Sequence, residues 1–109
     1  MKSEVKFADK NLGYAFQSLK NSKTEDKKLY DWLKRAIEDI EENAFCGIQI
    51  PKRLIPGIYI KKFDTNNLWK YDLPKGWRLL YTIGKDGAEI ISILLEWLDH
   101  KEYERRFNY

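Results

Sequence analysis

The chain has 109 residues, enough for one domain and too few for two. With 43% hydrophobic and 34% charged residues it can build its own core under a well-solvated surface, which argues against a disordered chain or a staple-dependent mini-protein. A net charge of +3 permits a nucleic acid or an acidic partner without requiring one, and the single cysteine, Cys46, leaves no internal disulfide and suits a reducing, cytoplasmic setting.

The N-terminal residues 1–6 lack the apolar stretch of a signal peptide. The longest apolar run, residues 90–98, is interrupted by Ser92 and Glu96 and is too short to span a bilayer, so a soluble protein is expected. In chain order, residues 5–8 read as a short strand, and Asp9 or Asn11 can cap a helix with the apolar stripe Leu12, Ala15, Phe16 and Leu19. A second helix is expected over about 25–43, capped by Thr24, with Leu29, Trp32, Leu33, Ala36, Ile37 and Ile40 on one face and charges on the other. Two helices joined by so few residues form an antiparallel hairpin.

Residues 45–56 read as irregular, punctuated by Gly47, Pro51 and Pro56. Residues 57–63 fit either a strand or a short helix opened by Pro56 at its first position, and the helix is favoured. Strands follow at 68–73 and 77–83, around a Pro-Lys-Gly turn, and then at 89–95 after a turn at 84–87. The last of these is the most apolar and is expected at the centre of the sheet. Asp99 and Glu102 have the spacing of a capping box that opens a C-terminal helix. The order predicts an α+β fold: an N-terminal strand and a helical hairpin packed on one face of a mostly antiparallel, twisted sheet, with a short C-terminal helix.

One His and one Cys, far apart, make no zinc site, and no Gly-rich phosphate loop or acidic cluster is present, so chemistry without metal or cofactor is expected. Arg78 stands alone in an apolar strand; its planar fork suits a phosphate and the charge that develops on one. His100, the only histidine, and Tyr103 lie three apart on a helix start and share a face, a pairing suited to proton transfer. Lys52, Arg53, Lys70 and Lys75 offer positive charge along an RNA strand, and Trp69 and Trp77 offer stacking surfaces. Each also has a plain structural reading: Arg78 pairs with Asp72 across the hairpin, Tyr103 and Phe107 pack at i, i+4, His100 donates to a backbone carbonyl, and the aromatic residues of the strands belong to the core.

The order of elements, the Trp77-Arg78-Leu79-Leu80-Tyr81 strand, Asn67-Leu68-Trp69 and His100-Lys101-Glu102-Tyr103 resemble the RelE/ParE superfamily of type II toxin–antitoxin toxins, in particular its RelE/HigB-like branch. Where RelE proper carries two lysines on the strand before the turn, this chain has Trp69 and Tyr71; where the HigB-like branch has an arginine, it has Asp72. The resemblance implies a ribosome-dependent mRNA endoribonuclease, acting by attack of the ribose 2′-hydroxyl on the adjacent phosphate and held in check by a cognate antitoxin. Arg78 would hold the phosphate, and His100 and Tyr103 would share proton transfer, with acid and base unassigned. Two alternatives stand beside it: a catalytically degenerate binding module of the same fold, and a ParE-like poison of gyrase.

Overall fold

In the computed structural model, which describes residues 1–108, the elements run β1 (Glu4–Phe7), α1 (Lys10–Lys20), α2 (Thr24–Glu42), β2 (Ile48–Gln49), α3 (Gly57–Phe63), β3 (Trp69–Asp72), β4 (Arg78–Asp86), β5 (Glu89–Leu98) and α4 (His100–Phe107). Single 3-10 turns occupy Ala44–Cys46, Lys52–Leu54 and Pro74–Gly76. The sheet order is β1-β5-β4-β3-β2, with every pairing antiparallel except β1 to β5. This is the α+β architecture that the sequence predicts.

The helix starts follow local chemistry. Asp9 caps α1 by accepting from the Leu12 amide at 2.8 Å, and Asp99 caps α4 by accepting from the Glu102 amide at 2.8 Å. The cap expected of Thr24 falls one residue earlier: Thr24 is already helical, and Lys23 precedes it without a side-chain cap. Glu25 and Asp26 in the first turn complement the helix dipole instead, and Ser22 Oγ donates to Asp26 at 2.7 Å. Pro56, expected at the first helical position of α3, is the cap residue before it, with ψ 136°.

The hairpin of α1 and α2 lays Phe16, Leu29, Leu33, Ala36 and Ile40 on one sheet face, against Leu73, Leu79, Tyr81 and Leu94. A side chain as buried as Leu33 or Ile40 contributes roughly 1.5–3 kcal/mol by leaving water. The opposite face, which the sequence reading left unassigned, holds a second core: Ile50, Ile55, Tyr59, Leu68, Leu80, Leu95, Leu98, Tyr103 and Phe107. It packs α3, α4 and the connection before α3 against the sheet, so the sheet carries helices on both sides.

A bulge in the β4–β5 ladder sets the phase of α4. Leu80 pairs with Glu96 and Tyr81 with Leu94, leaving Leu95 as the extra residue. Leu95 and Glu96 consequently face the same side: Leu95 enters the second core, and Glu96 accepts from Arg106 of α4 at 2.7 Å.

Three further sequence expectations shift. The central place, assigned to residues 89–95, belongs to β4, and β5 lies one position off centre between β4 and β1. The hairpin expected at 84–87 turns later, at Gly87 and Ala88, because Gly84, Lys85 and Asp86 stay paired with Ile91, Ile90 and Glu89. The segment read as irregular contributes β2, whose Ile48 and Gln49 pair with Lys70 and Trp69.

Candidate functional site

Alternation on β3 and β4 decides what meets what. Asp72 pairs with Arg78 and Lys70 with Leu80, and these four side chains share the face that α4 covers. Trp69, Tyr71 and Trp77 pack instead against the hairpin-side core. The structure therefore does not bring Trp69 or Trp77 to Arg78 as base-stacking platforms.

Arg78 is held from three sides. Its Nε lies 2.9 Å from the Asp72 carboxylate, an ion pair without an aligned hydrogen bond. Its Nη1 donates to the carbonyl of Gly76, and its guanidinium carbon stands 4.9 Å from the centroid of the Tyr103 ring. Lys70 joins the group: Nζ is 3.1 Å from Asp72 Oδ1 and 5.6 Å from the same ring centroid. Two cations thus share one carboxylate and one aromatic ring.

Tyr103 itself is buried at 2% exposure, stacked on Phe107 with centroids 4.4 Å apart. His100 begins α4, exposed, with Nε2 against the Glu104 carboxylate one helical turn on. Its ring lies against Gly76, whose positive φ of 80° closes the turn between β3 and β4. The turn thereby connects Arg78, through the Gly76 carbonyl, with the exposed His100.

Of the basic residues read as RNA contacts, Lys70 sits in the site and Lys75 is exposed in the turn beside Gly76, with φ 61°. Lys52 and Arg53 are exposed on a 3-10 turn; Arg53 lines a cleft with Arg106, Phe107 and Asn108 at the other end of α4, about 10 Å of helix from His100. The structure does not bring them to the Arg78 group. Sequence reasoning missed two members of the site, Gly76 and Glu104. The His-x-x-x-Glu spacing on a helix was the available signal for Glu104.

Two motif residues turn out to hold the frame. Asn67 accepts from the Ile83 amide and donates to the Ile83 carbonyl, both at 2.9 Å, so its amide extends the β3–β4 ladder by one rung. The Tyr81 hydroxyl donates to Ala44 at 2.8 Å and accepts from the Gly47 amide at 3.1 Å, pinning the segment that leads into β2. Burial above all raises the Tyr81 phenol well beyond its ordinary range.

Behind α4, Arg106 joins Glu96, Glu102 and the ring of Tyr59. Burial works against its charge, but Glu96, Tyr59 and Glu102 outweigh it and raise its pKa. Among the described residues, no three His, Cys, Asp or Glu side chains converge as metal ligands, and no helix is long and apolar enough to cross a membrane. In comparisons with known proteins, no family model, curated protein or solved structure matches the chain.

Proposed function

We propose that the chain is a toxin of the RelE/ParE superfamily, of its RelE/HigB-like branch, acting in the cytoplasm as a ribosome-dependent mRNA endoribonuclease under control of a cognate antitoxin. The observation that carries this reading is the convergence of Arg78 and Lys70 on the Tyr103 ring, with His100 at the rim across Gly76. A phosphodiester placed on the two cations would have the first turn of α4 beside it.

In that reading His100, the exposed member of the pair, moves the proton of the ribose 2′-hydroxyl, while buried Tyr103 supplies the ring beneath Arg78 and Lys70 and positions the substrate. The 2′-oxygen attacks phosphorus, the bond to the 5′-oxygen breaks, and that oxygen receives a proton, leaving a 2′,3′-cyclic phosphate. Arg78 stabilises the charge gathering on the phosphoryl oxygens, a role whose removal costs about a hundredfold to a thousandfold in rate. Exposed Leu54, Ile58 and Ile60, with Ile48 of β2 and Phe45 before it, supply apolar surface for an antitoxin segment.

A specific observation favours a second reading, that of a binding module with the same fold: the Asp72 carboxylate already engages both Arg78 and Lys70, and Glu104 already engages His100. Induced expression in a bacterial host, with growth and mRNA 5′ ends read together, separates the two. Growth arrest with new cuts inside translated messages, abolished by Arg78→Ala in a folded variant, supports the nuclease. Intact messages and normal growth, repeated on ribosomes from the native source, overturn it in favour of the binding module. Arrest with a DNA-damage response and intact messages would point to gyrase.

A further inference from the structure

Lys70, Asp72 and Arg78 form an unbalanced triad: two cations, one anion, on a single aromatic surface. A ladder ion pair between Asp72 and Arg78 accounts for one positive charge and leaves the other uncompensated. The three side chains also differ in freedom. Lys70 and Arg78 are packed, 18% and 17% exposed, whereas Asp72 is 47% exposed at the last position of β3. Rotation of one short side chain toward solvent would therefore vacate the space between the cations without disturbing them. The oxygen that Asp72 presents, 3.1 Å from Lys70 Nζ and 2.9 Å from Arg78 Nε, stands where a ligand oxyanion would make the same contacts.

We propose that Asp72 is an intramolecular stand-in for the phosphodiester: it occupies the Lys70–Arg78 oxyanion site and must swing out before RNA can enter. The inference rests on the phosphodiester reading of the site given above and adds a built-in competitor to it. Apparent affinity then falls by the fraction of molecules in which the carboxylate has vacated the site. A half-exposed ion pair opens readily, so the masking is partial and tunes binding without abolishing it. It also holds the two cations in position in the empty protein, so they need little reorganisation when the ligand arrives.

The test measures binding of a single-stranded deoxytrinucleotide, which lacks the 2′-hydroxyl and is not cleaved, to the full chain by calorimetry at fixed ionic strength. Asp72→Asn should bind it about tenfold more tightly than the parent, a change worth about 1.4 kcal/mol. Asp86→Asn, which removes the same charge near the β4–β5 turn, should stay within about twofold. Asp72→Ser serves as the second variant, and circular dichroism confirms that each is folded. If Asp72→Asn and Asp72→Ser bind no more tightly than Asp86→Asn, Asp72 is a ladder residue and the inference is overturned. Tighter binding confined to the Asp72 variants supports it whether or not they cut mRNA, so failure of the nuclease reading is seen separately in the expression experiment.

Discussion

A Cβ placed on Gly76 would stand 2.8 Å from the Cβ of His100. The turn between β3 and β4 and the first residue of α4 are therefore in contact through a position that has room for hydrogen alone. Gly76 also has φ 80°, which penalises any side chain independently. Gly76→Ala should lower stability by roughly 1–3 kcal/mol and push His100 away from the turn. Urea denaturation reads the first effect, and a shift of the His100 ring resonances reads the second. An unchanged midpoint with unmoved resonances would show that the contact is slack.

Two further glycines give a matched comparison. A Cβ on Gly47 would lie 2.6 Å from both the Lys70 carbonyl and the Tyr81 hydroxyl, whereas one on Gly57, at the start of α3, meets nothing within 4 Å. Gly47→Ala should cost about 2–3 kcal/mol because it forces β2 off β3 and breaks the bond from the Gly47 amide to the Tyr81 hydroxyl. Gly57→Ala should be neutral or stabilise by about 0.5–1 kcal/mol. Equal denaturation midpoints for the two variants would contradict this account of β2.

Asn67 completes the sheet with its side chain. Asn67→Ala leaves the amide and carbonyl of Ile83 without their partner and removes a 3.1 Å bond from Thr82. A loss of about 1–3 kcal/mol is expected, together with faster amide exchange at Ile83. Asn67→Asp keeps the acceptor and loses the donor, so exchange at the Ile83 amide should stay slower than in the alanine variant.

Three tyrosines set the behaviour at high pH. Burial first, then carboxylates where present, holds Tyr59, Tyr71 and Tyr81 above the ordinary value of 10.0, with Tyr71 at about 12 beside Asp39. Well below pH 10 these phenols are protonated in both folded and unfolded chains and contribute no slope. Above it the unfolded chain releases protons that the folded chain keeps, so stability falls as pH rises. Tyr59 and Tyr81 each add up to about 1.4 kcal/mol per pH unit, and Tyr71, more exposed, adds less. Denaturation from neutral pH to about pH 11 should show this decline, and Tyr59→Phe should flatten it. A Tyr59→Phe slope equal to that of the parent would place the titration elsewhere.

Much of this frame was legible because it is local. The Asp99–Glu102 spacing gave the cap of α4, and the stripe from Leu29 to Ile40 gave the buried face of α2. Asp72 and Arg78, opposed across a turn with two strand neighbours, gave their own ion pair. β2 was not legible: two residues carry no periodicity, and what holds them is Tyr81, distant in sequence, bonding to Gly47 and Ala44. The second core was hidden for another reason. Leu79, Leu80 and Tyr81 are all buried, which marks a strand covered on both faces without saying by what. The site was half legible. Arg78, Lys70, His100 and Tyr103 were singled out by type, but only the pleat separates Lys70 from Trp69 and Tyr71, and only the Gly76 turn brings His100 to them.

The parallel pairing of β1 with β5 joins Val5 to Ser92, residues far apart in the sequence. During synthesis the N-terminal strand and the helical hairpin leave the ribosome long before their partner strand exists. The hairpin can form early, yet the face it presents, with Phe16, Leu33 and Ile40, has little to cover until β4 and β5 arrive. A protein with this topology completes its sheet only when β5 follows β4, and the Tyr103 ring beneath Lys70 and Arg78 arrives later still, with α4. Any activity that depends on that surface is thereby withheld until α4 has been made.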